Sequence, residues 1–285
     1  MADTAFVTRY RNEYTAVFED KQSRLRYTTV TEAEVQGNQA VFLVAGSGGA
    51  SAVTRGANGL IPRRSDSLTQ NTAILKEWHD LDGKSRFNIW AGQANQRRLM
   101  QETSVAVLNR QIDDDIIAVL DTFTNDTGTA LPASLNMIAH ALTILGDNFV
   151  DTTDEDNMFA AVSPSFMNYL IQVKEYGSAD YVDVKPLTTG PAKKFKRFMG
   201  CNWIQHPRLT GSVGAGSTGS SEQCFIYHRF SVGHAFDTKQ INVAVGYNDE
   251  QDYYYARASG FMGSVLLQNA GGVMMKHDGS AYAAS

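Results

Sequence analysis

The groups in this chain that could perform chemistry are two glycine-rich loops, a Gly-Lys-Ser triplet, six histidines, two cysteines and two runs of acids. Gly214-Ala215-Gly216-Ser217-Thr218-Gly219 has the G-x-G-x-x-G spacing that lets backbone N–H groups approach a pyrophosphate at the start of a helix. The residues that follow, Glu222 to Tyr227, read as a strand, so a surface loop is expected instead. Val41 to Gly49 (VFLVAGSGG) runs from a strand into small residues, but Thr54-Arg55-Gly56 follows where a helix would have to begin. Gly83-Lys84-Ser85 matches the end of a phosphate-binding P-loop, yet Trp78 stands where that loop requires its first glycine. A Gly-x-Ser-x-Gly nucleophile elbow does not occur.

The titratable residues point to no reaction either. His79, His140, His206, His228, His234 and His277 form no H-x-x-x-H or H-E-x-x-H pair. His228 and His234 are expected on one face of a long strand from Cys224 to Phe236, without the partners a metal site needs. Asp113-Asp114-Asp115 falls in a helical pattern, where neighbours diverge by ~100° and cannot chelate one ion. A solvated or salt-bridged face is expected there, and a solvated loop at Asp154-Glu155-Asp156. Cys201 and Cys224 are too few for a disulfide framework and read as reduced thiols. No catalytic residue, metal or cofactor is expected.

Composition narrows the classes further. Charged residues make up 19% of the chain, below the usual ~25%, which fits a protein that covers much of its surface with copies of itself, although enzymes show it too. A net charge of −5 argues against tight nucleic-acid binding, though not against a container whose wall faces DNA. The stretch from Met1 to Tyr14 carries acids and no apolar run, so no export signal is expected. Nor does any apolar run reach the ~20 residues of a membrane helix, and a soluble, intracellular product is expected.

The elements that must position these residues are legible from periodicity. Ala5 to Phe18 reads as an amphipathic helix, either docked on its own core or lying on a neighbour as an arm. Between Gly37 and Arg86, a strand at Ala40–Ala45 and another at Thr72–Leu81 flank a Gly/Ser/Ala-rich stretch carrying Arg63 and Arg64. Such a hairpin is marginal alone in water and needs a surface to lie on, its own subunit's or another's. Trp90 to Phe123 reads as one long helix, with Val105, Leu108, Ile112, Ile116, Val119 and Phe123 at helical spacing. Leu131–Asn148 and a segment from Ser165 read as helices, and Met158–Val162 as a strand. A basic loop, Ala192 to Arg197, and a Gly/Ser loop, Gly211 to Ser221, follow.

Ile241, Val243, Val245 and Tyr247 then alternate along a strand, a polar turn leads to Tyr253, Tyr255 and Arg257, and Gly263–Ser264, Val265–Leu267, Val273–Met275 and Asp278 complete the pattern. This succession resembles the closing strands of tailed-phage major capsid proteins with the Hong Kong 97-type fold. The element order over the rest of the chain resembles the same family. The resemblance implies an α+β fold with an N-terminal arm (1–36), an extended β-hairpin loop (37–89), a peripheral domain with a long spine helix (90–123 and 241–285) and an axial domain (124–240). It implies a structural protein that assembles into hexamers and pentamers of an icosahedral head enclosing double-stranded DNA. Its partners would be itself, a separate scaffolding protein, a portal and a decoration protein, with DNA touched non-specifically, no membrane, and assembly in the host bacterial cytoplasm before residence in the virion. Candidate contact residues are Arg63, Arg64, Trp78 and Arg86 on the extended loop and Lys193, Lys194 and Arg197 on the axial loop. Some relatives crosslink subunits through a Lys and an Asn, for which Lys84 is the candidate donor. The alternatives are an encapsulin-like shell around enzymes and a soluble nucleotide-binding enzyme.

Overall fold

The computed structural model of the chain describes residues 22–32, 35, 37–46, 50–56, 58–61, 63, 67–91, 96–172, 196–209, 222–237, 239 and 241–278. The expected arm helix, Arg64, Lys193, Lys194 and the Gly/Ser loop lie outside these residues. In chain order the strands and α-helices are β1 (Val30–Glu32), β2 (Gln39–Gly46), β3 (Ser67–Ile74), β4 (Lys76–Ser85), α1 (Arg86–Ala91), α2 (Gln96–Leu120) and α3 (Leu135–Asp147). Then come β5 (Met158–Val162), α4 (Pro164–Gln172), β6 (Lys196–Phe198), β7 (Cys201–Gln205), β8 (Glu222–His228), β9 (Val232–Phe236), β10 (Asn242–Asn248), β11 (Tyr253–Leu266) and β12 (Gly272–His277).

The first sheet is built on β11, a single strand of 14 residues where the sequence pattern reads as two strands parted by small residues. One side of it pairs with β10 and then β9, with β1 beyond; the other side pairs with β4 from Tyr253 to Met262. The small residues do not interrupt the strand but let other elements approach it. Ala256, Ala258 and Met262 are buried, and a Cβ on Gly263 would overlap the carbonyl oxygen of Ile74.

The expected spine helix is described in two stretches, α1 and α2, with residues 92–95 outside the described ones. Along α2 the buried residues Met100, Ser104, Leu108, Ile112, Ile116 and Leu120 recur every fourth position. Each such step advances ~40° around a 3.6-residue helix, so the stripe winds and meets more than one surface. Its lower part joins Ala258 and Met262 of the first sheet with Phe159, Phe225 and Tyr227 of the second in one core. Val105, expected in the buried stripe, is exposed, and Phe123 is buried just beyond the helix end.

The second sheet has the order β12-β8-β5-β7-β6. α3 and α4 contribute Ile138, Leu145, Phe166 and Leu170 to a second core with Trp203, Ile226 and Met275. Both helices start on side-chain caps. Ser134 Oγ accepts from Met137 N at 3.2 Å, and Ser163 Oγ accepts from Phe166 N at 3.3 Å with Pro164 in the first turn.

Two expectations are corrected where the sheets meet. Cys224 to Phe236 is not one strand: a 3-10 turn at Arg229–Ser231 divides β8 from β9, and the two belong to different sheets. His228 and His234 therefore share no face. The break has local causes, since His228 Nδ1 accepts from Phe230 N and Ser231 Oγ donates to His228 O at 2.5 Å. Likewise β12, expected beside the spine helix's sheet, pairs with β8 in the second sheet after a 3-10 turn at Asn269–Gly271. The two turns pack together: Leu267 N donates to Ser231 O at 2.8 Å, and a Cβ on Gly271 would crowd Ser231 Cβ. Paired strands thus change sheets side by side.

Candidate intersubunit surfaces

Strands β2 and β3 form a separate two-stranded ribbon with Gln39 opposite Ile74 and Gly46 opposite Ser67. Alternation gives it two faces. Ala40, Phe42 and Ala73 turn inward onto Ala235, Val265 and Leu267, and Asn71 Nδ2 donates to Leu267 O at 3.0 Å. Phe42 fits because residue 233 is glycine, whose Cβ would sit 3.1 Å from the ring. The outer face is also apolar: Val41, Leu43, Leu68 and Ile74 are 49%, 67%, 63% and 60% exposed. Val53, Leu60 and Ile61 in the segment between the strands are equally uncovered. A ribbon apolar on both faces with one face bare has a surface left to fill. At the end of α3, Phe149 adds a separate projection, 94% exposed in a left-handed conformation (φ 60°).

The ribbon is shorter than the expected extended loop, because Lys76–Ser85 is a full member of the first sheet. Trp78 accordingly lies on β4, half-buried against the core, with its indole Nε1 buried and without a hydrogen-bond partner among the described residues. Arg86 is exposed at the start of α1, and Arg63 is exposed in the segment between β2 and β3. Lys84, the candidate crosslink donor, is on β4 opposite Tyr254. Gly83 serves the sheet rather than a phosphate, since a Cβ there would lie 2.9 Å from the Tyr253 ring. Arg197 on β6 pairs within the subunit, with Asp156 at 2.5 Å and Glu155 at 3.5 Å, and its Nε donates to Asn202 Oδ1. So the acidic loop, expected to be solvated, holds the edge of the second sheet. These exposed pairs contribute at most ~1 kcal/mol each.

The three consecutive aspartates of α2 diverge as expected, but each fastens a different segment. Asp113 is buried and accepts from Ser23 Oγ (2.6 Å), Arg24 N (3.1 Å) and Leu25 N (3.1 Å), while His206 Nε2 lies 3.1 Å away. Burial pushes its carboxyl up, but the hydrogen bonds from His206, Ser23, Arg24 and Leu25 outweigh this and leave it below its ordinary value. Asp114 pairs with Arg208 at 3.3 Å. Asp115 accepts from Ser264 Oγ at 2.6 Å, and burial leads in holding its carboxyl above the ordinary value. Ser264 Oγ is also 2.8 Å from His234 Nδ1, whose ring burial pushes down to about 4. The aspartates are thus structural fasteners joining the start of the described chain, α2 and both sheets. Periodicity alone places them on one helix but not on those partners.

No group of three or more His, Cys, Asp or Glu that could hold a metal occurs among the described residues. Both cysteines are buried thiols, Cys224 Sγ lies 3.8 Å from Ser163 Oγ, and burial pushes the Cys201 thiol up to about 12. Within the described residues no helix is long and apolar enough to cross a membrane.

A family model described as phage capsid protein matches residues 2–278. The chain belongs to the phage capsid protein family. Among curated proteins no sequence matches. Solved structures agree on the fold. A chain from Mycobacterium phage Che8 superposes with a TM-score of 0.74 at 16% identity, covering 98% of this chain and 100% of that one. The capsid of the cyanophage P-SCSP1u gives 0.68 at 11% identity, covering 97% and 94%. The capsid of Ralstonia phage GP4 gives 0.67 at 11% identity, covering 99% and 97%. The capsid protein is therefore a structural protein of the phage head shell, with the mixed helix-and-strand fold of tailed-phage major capsid proteins.

Proposed function

We propose that this capsid protein builds its shell from hexamers and pentamers by laying the outer face of the β2–β3 ribbon on a neighbouring copy, and that the closed icosahedral shell encloses packaged double-stranded DNA. The observation that carries this is the bare stripe of Val41, Leu43, Leu68 and Ile74 beside a docked opposite face. Burying a Leu-sized side chain contributes ~1.5–3 kcal/mol, so the stripe alone can supply several kcal/mol per contact. Repeated over identical head-to-tail contacts, this closes rings. In this reading the first sheet with α2 forms the peripheral domain, and the second sheet with α3 and α4 the axial domain. Arg63, Arg64 and Arg86, together with Lys193 and Lys194, are rim contacts, and Phe149 meets a neighbour's axial domain. Trp78 and Arg197 act inside the subunit. A separate scaffolding protein, a portal and a decoration protein are the further partners, and DNA meets the inner wall non-specifically, in keeping with the net charge of −5. Assembly takes place in the host bacterial cytoplasm.

The test is Leu43→Asp with Leu68→Asp. The unassembled variant should melt where the unmodified chain does, because both side chains are exposed, yet electron microscopy should show no closed particles. Particles at normal yield would refute the ribbon's role.

A further inference from the structure

A cavity of about 340 Å³ opens where the first described residues cross α2 and the first sheet; Gln22, Ser23, Arg26, Tyr27, Thr31, Asn109 and Arg229 line it. Two of these carry positive charge and none carries negative charge. Arg26 is held in place by stacking, its guanidinium carbon 4.7 Å from the centre of the Phe236 ring. Arg229 donates from Nε to Thr29 O at 3.3 Å, which fixes its stem and leaves the outer nitrogens of its fork. Neither guanidinium has a carboxylate within salt-bridge distance among the described residues. Burial pushes the Arg26 pKa down, as it does for a charge drawn partly out of water. Two half-buried guanidinium groups over neutral hydrogen-bonding side chains form a receptor for an anionic, oxygen-bearing group.

The same chain carries a matching group at the far end of the same sheet. The turn between β10 and β11 reads Asn248-Asp249-Glu250-Gln251-Asp252. Asn248 Oδ1 accepts from Glu250 N and Gln251 N, and Asp252 accepts from the Tyr247 hydroxyl. That leaves the exposed Asp249 and Glu250 carboxylates without a cationic partner among the described residues. They cannot reach their own cavity. Thr31 stands opposite His234, which stands opposite Ser264, while the turn adjoins Tyr253; that separation is roughly 35 Å along β11. A cationic socket at one end of a body and an acidic tip at the other describe a head-to-tail contact, which propagates or closes into a ring.

We propose that the Arg26–Arg229 cavity receives the Asp249–Glu250 turn of a second copy of this chain. The inference rests on the shell-forming reading above and adds to it a second, polar contact distinct from the apolar ribbon. A carboxylate from a copy fits better than a nucleic-acid phosphate, because DNA contacts run along tracks of Lys and Arg and the described residues of the lining offer two arginines and no lysine.

The experiment compares Arg26→Glu/Arg229→Glu, Asp249→Lys/Glu250→Lys and the combined fourfold variant, full length, with particles counted by sedimentation velocity and electron microscopy at low salt. Each charge-reversed double variant should lower particle yield about tenfold or more, and the fourfold variant should recover most of it. The turn variant bears the weight if the cavity variant misfolds, since Asp249 and Glu250 are exposed and touch no core. Normal assembly of the turn variant, or a fourfold variant no better than either double, would overturn the inference while leaving the shell reading intact. Normal particles from the cavity variant with less retained DNA would overturn it in favour of a phosphate site. Failure of the unmodified chain to assemble would instead fall on the shell reading itself.

Discussion

Removing the Asp113 carboxylate tests whether the start of the described chain is fastened as the geometry implies. In Asp113→Ala, four donors lose their acceptor: Ser23 Oγ, Arg24 N, Leu25 N and His206 Nε2. Water can reach the part-buried Ser23 and Arg24, whereas Leu25 and His206 are buried. Each buried donor left unsatisfied costs ~1–3 kcal/mol, and relief of the desolvated charge returns part of this. The net expectation is about 3 kcal/mol, a large share of the 5–15 kcal/mol typical of a folded domain. Urea unfolding of the unassembled chain should show the midpoint about 1 M lower for a slope near 3 kcal/mol/M. Trypsin should also cut sooner after Arg24 and Arg26. The carboxyl's folded pKa lies below its ordinary value. Its contribution is therefore complete above the unfolded value of ~3.9 and fades as pH falls through the lower folded one. A midpoint shift under about 0.3 M with unchanged cleavage would refute the fastening role.

His234 should make the subunit acid-sensitive at higher pH than Asp113 does. Burial pushes its pKa from 6.5 to about 4, so the unfolded chain binds the extra proton between those values and stability falls as pH drops from 6.5 towards 4. The full span amounts to roughly 3 kcal/mol; His234→Gln should flatten that slope in melting curves between pH 4 and 7, and an unchanged slope would sink the assignment. Gly263→Ala should destabilise by about 1–3 kcal/mol, because its new Cβ meets the Ile74 carbonyl, and should speed hydrogen exchange in Ser67–Ile74 ahead of other segments. Slower or unchanged exchange there would show that the ribbon does not rest on residue 263.

How much was legible beforehand divides along physical lines. Period-two alternation from Ile241 to Tyr247 located a strand well, because alternation is a local property. The order of the elements carried the family resemblance. Sheet membership was not legible: β8 and β9 are contiguous in pattern, and only the His228 and Ser231 hydrogen bonds make the chain leave one sheet for the other. The small residues of β11 looked like an interruption because their reason, the approach of α2 and Ile74, lies far away in sequence. Asp113 looked solvated for the same cause. Lys76–Ser85 looked like part of the excursion because it directly follows the ribbon, yet β11 captures it. Arg26 and Arg229 carry no local signal of a shared site, being about two hundred positions apart.

The paired passages from β8 to β9 and from β11 to β12 bear on how a pressurised wall would carry load. Force pulling the two sheets apart travels along main-chain covalent bonds at Arg229–Ser231 and Asn269–Gly271, where nothing can slide, as well as through α2 and the core it shares with both sheets. The subunit would yield by bending about that doubled seam, like a hinge stitched twice, before its halves could part.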